Sequence, residues 1–264
     1  MSSQPSDPDS TTSDITGEAD PALVDALRML EKRLERLERA ECAREFHPWY
    51  TNAAFEDVFR GSHDQLRDHY REVAALLAGR SPVVDIGCGR GEFLELLDDL
   101  GIQAHGVEID PALVEECRDR GLDAEVADCI AHLESLADGS LGGLSAIQVI
   151  EHLTAQQQVD LVRLAHSKLE PGGIALVETV NPTSVSALAQ LFYIDPTHAR
   201  PVHPSYLQFL FAQAGFQRVD VAGRSTPPAD QRLAAVGIPN LDENFERLNQ
   251  LLYGPRDYVV VAVR

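Results

Sequence analysis

Residues 82–93 read PVVDIGCGRGEF, and this stretch decides the fold. Val83, Val84 and Ile86 give it the β-branched, nearly unbroken apolar character of a strand buried on both faces. The residues that follow, EFLELLDDL, switch to helical spacing. Between strand and helix stand Gly87, Gly89 and Gly91. Glycine there permits a tight turn and lets a ligand approach backbone that side chains would otherwise shield. The spacing is GxGxG, with Asp85 two residues ahead. The dinucleotide fingerprint wants glycine at its sixth position, where this chain has Glu92.

Working outward from residue 82, strand and helix alternate. Strands are expected at 82–86, 103–108, 123–127, 144–150 and 173–180, with helices near 91–100, 111–120, 129–137 and 154–169. An irregular segment, 181–204, leads to a helix near 204–214. FQRVDVAG and DYVVVAVR read as two final strands, with a helical excursion at 228–253 between them. The alternation predicts an α/β fold: a doubly wound, Rossmann-like, seven-stranded and mostly parallel sheet covered by helices on both faces. Ahead of it, a helix is expected over 63–79, with Leu66, Tyr70, Val73, Leu76 and Leu77 on one face.

Two strand ends carry chemistry. The second strand closes in GVEID, and a carboxylate at that tip, Glu108, suits a ribose diol by accepting from its hydroxyls. The fourth runs into IQVIEHL, gathering Gln148, Glu151 and His152 where open α/β sheets bind ligands. His152 suits general-base work near neutral pH, with Glu151 orienting it or holding a metal; capping of the next helix is the bland alternative. A second polar cluster, YIDPTHARPVHP at 193–204, brings Tyr193, Asp195, His198, Arg200 and His203 together in a proline-stiffened run.

The charge is lopsided, with 22 Lys and Arg against 42 Asp and Glu for a net −20. So acidic a body repels polyanions, which argues against a nucleic-acid partner. No apolar run approaches the roughly 18–20 residues of a membrane span, and no basic-then-apolar leader opens the chain, so a cytoplasmic location is expected. The cysteines at 42, 88, 117 and 129 form no CxxC pair and read as reduced, mostly buried thiols.

The first 20 residues are rich in Ser, Thr, Asp and Pro and read as a disordered acidic tail. Residues 21–79 are expected to form N-terminal helices. Among them Leu23, Leu27, Leu30, Leu34 and Leu37 line one face of a 21–45 helix that either packs on its own domain or forms a homodimer seam. Residues 80–264 are the expected main domain, with acceptor-binding insertions near 181–206 and 227–253.

DIGCGRGEF at 85–93, GVEID at 106–110, VADC at 126–129 and LEPGG at 169–173 resemble, in order and spacing, the motifs of class I S-adenosylmethionine-dependent methyltransferases. The resemblance covers about residues 80–180 and the last two strands. It implies that Asp85, Gly87, Gly89 and Gly91 line the loop side of the cofactor and that Glu108 takes the ribose. It further implies Asp128 beside the adenine amino group, with Cys129 near it and Gln148 at the rim. YTNAAFEDVFRGS at 50–62 resembles a segment of bacterial polysaccharide-modifying methyltransferases, which implies that Arg60 pairs with the cofactor carboxylate.

The run DPTHARPVHP followed by SYLQFLFAQAGF resembles O-antigen chain-terminating methyltransferases. It resembles more closely the mycobacterial sugar O-methyltransferases of methylated-polysaccharide synthesis, which include 1-O-methyltransferases of 3-O-methylmannose oligosaccharides. That implies a mannose- or glucose-type oligosaccharide acceptor, held by Tyr193, Asp195, Arg200 and His203. Catalysis would fall to His152 with Glu151 and His198, or to a divalent ion such as Mg²⁺ or Mn²⁺ held by Glu151, His152 and one of His198 or His203. The similar Glu-x-x-Glu-His strand end of metal-dependent relatives has a glutamate where this chain has Gln148, and two histidines suit a transition metal better than Mg²⁺. A quinone or phenol O-methyltransferase and a non-catalytic cofactor-binding protein are the competing readings.

Overall fold

The computed structural model describes residues 58–264. The expected acidic tail, the 21–45 leucine helix with its dimer seam, and most of the 50–62 segment lie outside them.

The first helix, α1, runs His63–Ala74. Ser62 and Gln65 form a capping box at its start. It buries Leu66, Tyr70, Val73 and Ala74, then tightens into a 3₁₀ turn over Ala75–Leu77. The expected helix thus stops short of residue 79, where Gly79 takes φ 73°.

Beyond it come β1 (Val83–Ile86), α2 (Glu92–Asp99), β2 (Ala104–Glu108), α3 (Pro111–Asp119), β3 (Ala124–Val126) and α4 (Cys129–Ser135). The second half holds β4 (Leu141–Ile147), α5 (Ala155–Lys168), β5 (Leu169–Val180), α6 (Val185–Gln190) and α7 (Pro204–Ala214). It closes with β6 (Arg218–Arg224), α8 (Pro239–Leu252) and β7 (Asp257–Val263). The sheet order is β3-β2-β1-β4-β5-β7-β6. β1 to β5 pair in parallel, and β7 runs antiparallel to both β5 and β6. This is the expected seven-stranded, mostly parallel sheet. Among the described residues no helix is long and apolar enough to cross a membrane.

Each face of the sheet carries its own core. Val83, Ile147, Leu176 and Val259 pack under α1 and α2. Val84, Ile86, Leu144, Ala146, Ala175, Val177 and Val260 pack under α5 and α7, where Phe211 and Phe216 fill the interior. Large fully buried side chains such as these are each worth about 1.5–3 kcal/mol of hydrophobic transfer.

Three expected boundaries move. β4 spans 141–147 and not 144–150. A Cβ on Gly142 would sit 2.4 Å from the Arg80 carbonyl oxygen, so the Gly142–Gly143 pair marks a close backbone approach inside the strand. β5 starts at Leu169 because Leu169 pairs with Leu141, the register then shifting across Pro171–Gly173. In the 228–253 excursion only α8 and a short 3₁₀ turn at Ala229–Gln231 are helical.

Candidate active site

The carboxyl ends of β1, β2, β4 and β5 meet on one edge, and the antiparallel β7 returns its first residue, Asp257, opposite Val180 on that same edge. The loop after β1 is built for close approach. Gly87, Gly89 and Gly91 all have left-handed φ, at 66°, 53° and 87°. At Gly87 a Cβ would meet Val149 Cγ2 at 2.4 Å, so only glycine fits beside the β4 turn. The Gly87 amide donates to the Val107 carbonyl at 2.7 Å, binding the loop to β2. Gly91 caps α2, and Arg90 is buried against Glu92, 2.9 Å away, while donating to the Gly61 carbonyl.

Glu108 is buried at the tip of β2. Its Oε2 accepts from the Gly89 amide at 3.2 Å, and its Oε1 accepts from the Ile109 and Asp110 amides at 2.7 and 3.0 Å. The carboxylate is therefore fixed in place and joined to the glycine loop. Asp85 is buried on β1 and accepts from the Ser145 hydroxyl at 2.7 Å. Burial pushes its carboxyl up to about 7 against the pull of Ser145 and Arg60, with Glu108 and Glu92 adding to the rise. Arg60 acts electrostatically on Asp85, Glu151 and His152 alike, lowering all three. Asp128 caps α4 by accepting from the Ala131 amide at 2.9 Å, with the half-buried Cys129 next in the chain. Cys88 and Cys117 are buried under the loop, where Cys117 donates to the Gly89 carbonyl. Their mutual hydrogen bond and burial push the Cys88 thiol far up, which leaves it inert.

β4 ends in an unusual turn. Gln148 has φ 56°, a left-handed conformation rare for a residue with a side chain. Its amide side chain turns toward β7, donating to Asp257 Oδ1 at 3.2 Å. Residues Ile150–His152 then form a 3₁₀ turn. Glu151 is fully buried, and neither carboxylate oxygen has a hydrogen-bond partner among the described residues. The Thr179 hydroxyl is near enough to act on it but is not aligned to complete a bond. Burial pushes the Glu151 carboxyl up to about 8, opposed by its own backbone amide, Thr179 and Arg60 and supported by Asp257.

The 192–203 segment is stapled over this turn. The Glu151 carbonyl accepts from the amides of Ala199 and Arg200 at 2.9 and 3.4 Å. His152 and His198 meet edge to face, ring centroids 4.6 Å apart. Burial and His198 push the His152 imidazole down to about 4. His198 Nδ1 lies 2.6 Å from the Phe192 carbonyl, to which it donates. One donor atom each from Glu151, His152 and His198 lie within 4.8 Å of one another.

The acceptor residues expected from sequence divide. Asp195 faces the Glu151–His152–His198 cluster, Oδ2 3.8 Å from His198 Nε2. Tyr193 is exposed at 69%, on the same segment. Arg200 is engaged elsewhere, donating to Gln158 at 3.0 Å and lying over the Tyr206 ring. His203 is exposed and caps α7, its Nδ1 accepting from the Ser205 amide.

Sequence reasoning missed several neighbours. Glu178 on β5 is fully buried, with Arg224 Nε 2.7 Å and His69 Nε2 3.5 Å from its carboxylate. With Asp257 it forms a second acidic group on this edge. An acid inside the apolar run GIALVETV was the available signal. Thr197 was missed because Asp-x-Thr reads as ordinary turn chemistry. A third group, His105, Glu125 and His132, stands at the β2–β3 edge of the sheet.

Known proteins match this architecture. The family profile described as a Methyltransferase domain matches residues 56–221. A probable S-adenosylmethionine-dependent methyltransferase of Mycolicibacterium smegmatis is 32% identical over 154 residues, 58% of this chain. This chain spans 58% of that relative's length. A ubiquinone biosynthesis O-methyltransferase of Xanthomonas euvesicatoria is 28% identical over 178 residues, covering 62% of this chain and 73% of that protein. The crystal structure of a SAM-dependent methyltransferase from Archaeoglobus fulgidus superposes with a TM-score of 0.77 at 35% identity, over 80% of this chain and 98% of that one.

Proposed function

The chain belongs to the S-adenosylmethionine-dependent methyltransferase family, and on that premise we propose that it is an O-methyltransferase whose acceptor hydroxyl is activated by the Glu151–His152–His198 cluster. The observation that carries this reading is the convergence of a fully buried, unpartnered carboxylate and two imidazoles at the end of β4, beside the glycine loop.

S-adenosylmethionine, when bound, supplies an electrophilic methyl group on a sulfonium sulfur. The Gly87–Gly91 loop is the candidate cradle for its methionyl part, and Glu108, held by three backbone amides, is the candidate for its ribose. Arg60 is the candidate partner for its carboxylate, and Asp128, Cys129 and Gln148 complete the rim. A sugar or phenol hydroxyl is a poor nucleophile until its proton is removed. Burial leaves the His152 imidazole unprotonated at neutral pH, though a weaker base than a free one, and its Nε2 takes the hydroxyl proton as the oxygen forms its bond to carbon. The bound sulfonium would supply the methyl carbon and keep the electron pair of its carbon–sulfur bond on sulfur.

The same three side chains suit a divalent ion, which would lower the hydroxyl pKa. Glu151 offers an unpartnered buried carboxylate, and two imidazoles favour a transition metal over Mg²⁺. Activity lost to a chelator and restored by a divalent ion selects this variant, and indifference selects the bare base.

For the acceptor, the first reading is a hydroxyl of a mannose- or glucose-type oligosaccharide, the anomeric one foremost. Its support is the 193–204 run, with Tyr193 as an exposed aromatic face. The second reading, a phenol or quinol, is favoured by the relatives named ubiquinone biosynthesis O-methyltransferases. A mass-spectrometric screen with S-adenosylmethionine against oligosaccharides and catechols separates them. Transfer to catechols with no sugar product overturns the carbohydrate reading; no transfer to any hydroxyl leaves a cofactor-binding protein.

A further inference from the structure

His152 Nδ1 lies 2.9 Å from Thr197 Oγ1, and Thr197 Oγ1 lies 2.6 Å from Asp195 Oδ1. The Thr197 amide also donates to that Asp195 oxygen, at 2.8 Å. A hydroxyl has one proton to give. An ionised carboxylate can only accept, so the Thr197 proton goes to Asp195. The threonine oxygen must then receive a proton from His152 Nδ1. The reverse arrangement would turn the hydroxyl toward His152 and leave two oxygen lone pairs facing each other at 2.6 Å. The chain His152 Nδ1–H to Thr197 to Asp195 therefore has one direction.

We infer that Thr197 and Asp195 are positioning residues that lock His152 in the Nδ1–H tautomer, leaving the Nε2 lone pair for the reaction. The inference rests on the proposed role of His152 and deepens it. It also gives Asp195 a different task from the acceptor binding expected from sequence. The lock works whether Nε2 takes a proton or binds an ion, because both uses need its lone pair and gain from a hydrogen bond on the other ring nitrogen. Glu151 makes no competing hydrogen bond to the ring, and His198 meets it only edge to face, with its own Nδ1 committed to Phe192. Thr197 also acts on the imidazole through a backbone hydrogen bond that favours a proton on the ring.

The test uses the full chain labelled with ¹⁵N-histidine, His152 being assigned by difference from the His152→Gln protein. Long-range ¹H–¹⁵N correlation reports the tautomer without substrate. The expected result is a protonated Nδ1 and an unprotonated Nε2 in the wild type. Thr197→Val, close in volume, should mix or reverse the tautomers and lower kcat by about 10–100-fold, the usual effect of removing such a supporting partner, with S-adenosylhomocysteine affinity unchanged. Thr197→Ser should restore both. Asp195→Asn can donate to Thr197, turn its hydroxyl toward His152, and so favour the Nε2–H form. An Nε2–H wild type, or a Thr197→Val protein with an unaltered tautomer, overturns the inference. A protein that locks the tautomer but turns over no hydroxyl acceptor overturns the proposed activity and leaves the lock standing.

Discussion

Glu151→Gln tests the electrostatics of the site in the cofactor-free protein. Burial raises the Glu151 carboxyl from its ordinary 4.5 to about 8, so the folded chain holds a proton there that the unfolded chain has lost. A group with a raised folded pKa stabilises most at low pH, and that stability drains away as pH climbs through the interval. The slope is about 1.4 kcal/mol per pH unit for one proton. Asp85, raised to about 7, adds a loss of the same sign up to about that pH. His152, lowered to about 4, acts in the opposite direction, but only below its ordinary 6.5. The window from pH 6.5 to 7.5 therefore isolates Glu151 once the variant is subtracted, because Asp85 is common to both proteins. Partial ionisation near the upper limit trims the expected difference to about 1 kcal/mol. Urea denaturation followed by far-ultraviolet circular dichroism at the two pH values measures it. The wild type should lose about 1 kcal/mol more than Glu151→Gln on going to pH 7.5. Any constant cost of a buried amide cancels in that comparison. Equal pH slopes in the two proteins would refute the claim that Glu151 is buried without a compensating partner.

Further outcomes follow from the site. Glu108→Ala should weaken S-adenosylhomocysteine binding by about 1–3 kcal/mol, the worth of a charge-assisted hydrogen-bond pair; unchanged affinity in calorimetric titration removes the ribose assignment. Gly87→Ala should cost about 2 kcal/mol or more of stability, from left-handed strain and the contact with Val149, and pairing it with Val149→Ala should recover only part of the lost melting temperature. His152→Ala should lower turnover by about 10²–10⁴-fold, while S-adenosylhomocysteine affinity stays within about twofold.

Local pattern determined most of the fold, because β-branched runs, helical spacing and glycine turns act over a few residues. PVVDIGCGRGEF announced both a strand–loop–helix unit and its ligand edge. The place of Glu108 at the tip of β2 was readable for the same reason, since strand tips in a parallel sheet share one edge wherever the strands pair. Boundaries were less readable where pairing partners set them. Gly142–Gly143 belongs to β4 with Arg80 packed against it, and Leu169 joins β5 only through Leu141. Tertiary structure alone decided which polar residues cooperate. Asp195, Thr197 and His198 lie more than 40 positions beyond His152, and the amides of Ala199 and Arg200 on the Glu151 carbonyl bring them to it. Arg200 and His203 looked equally available to an acceptor, yet one is held by Gln158 and the other caps α7. Hydrogen bonds of this kind depend on distance and direction in space. Sequence specifies them only through the packed fold that delivers the groups to one another.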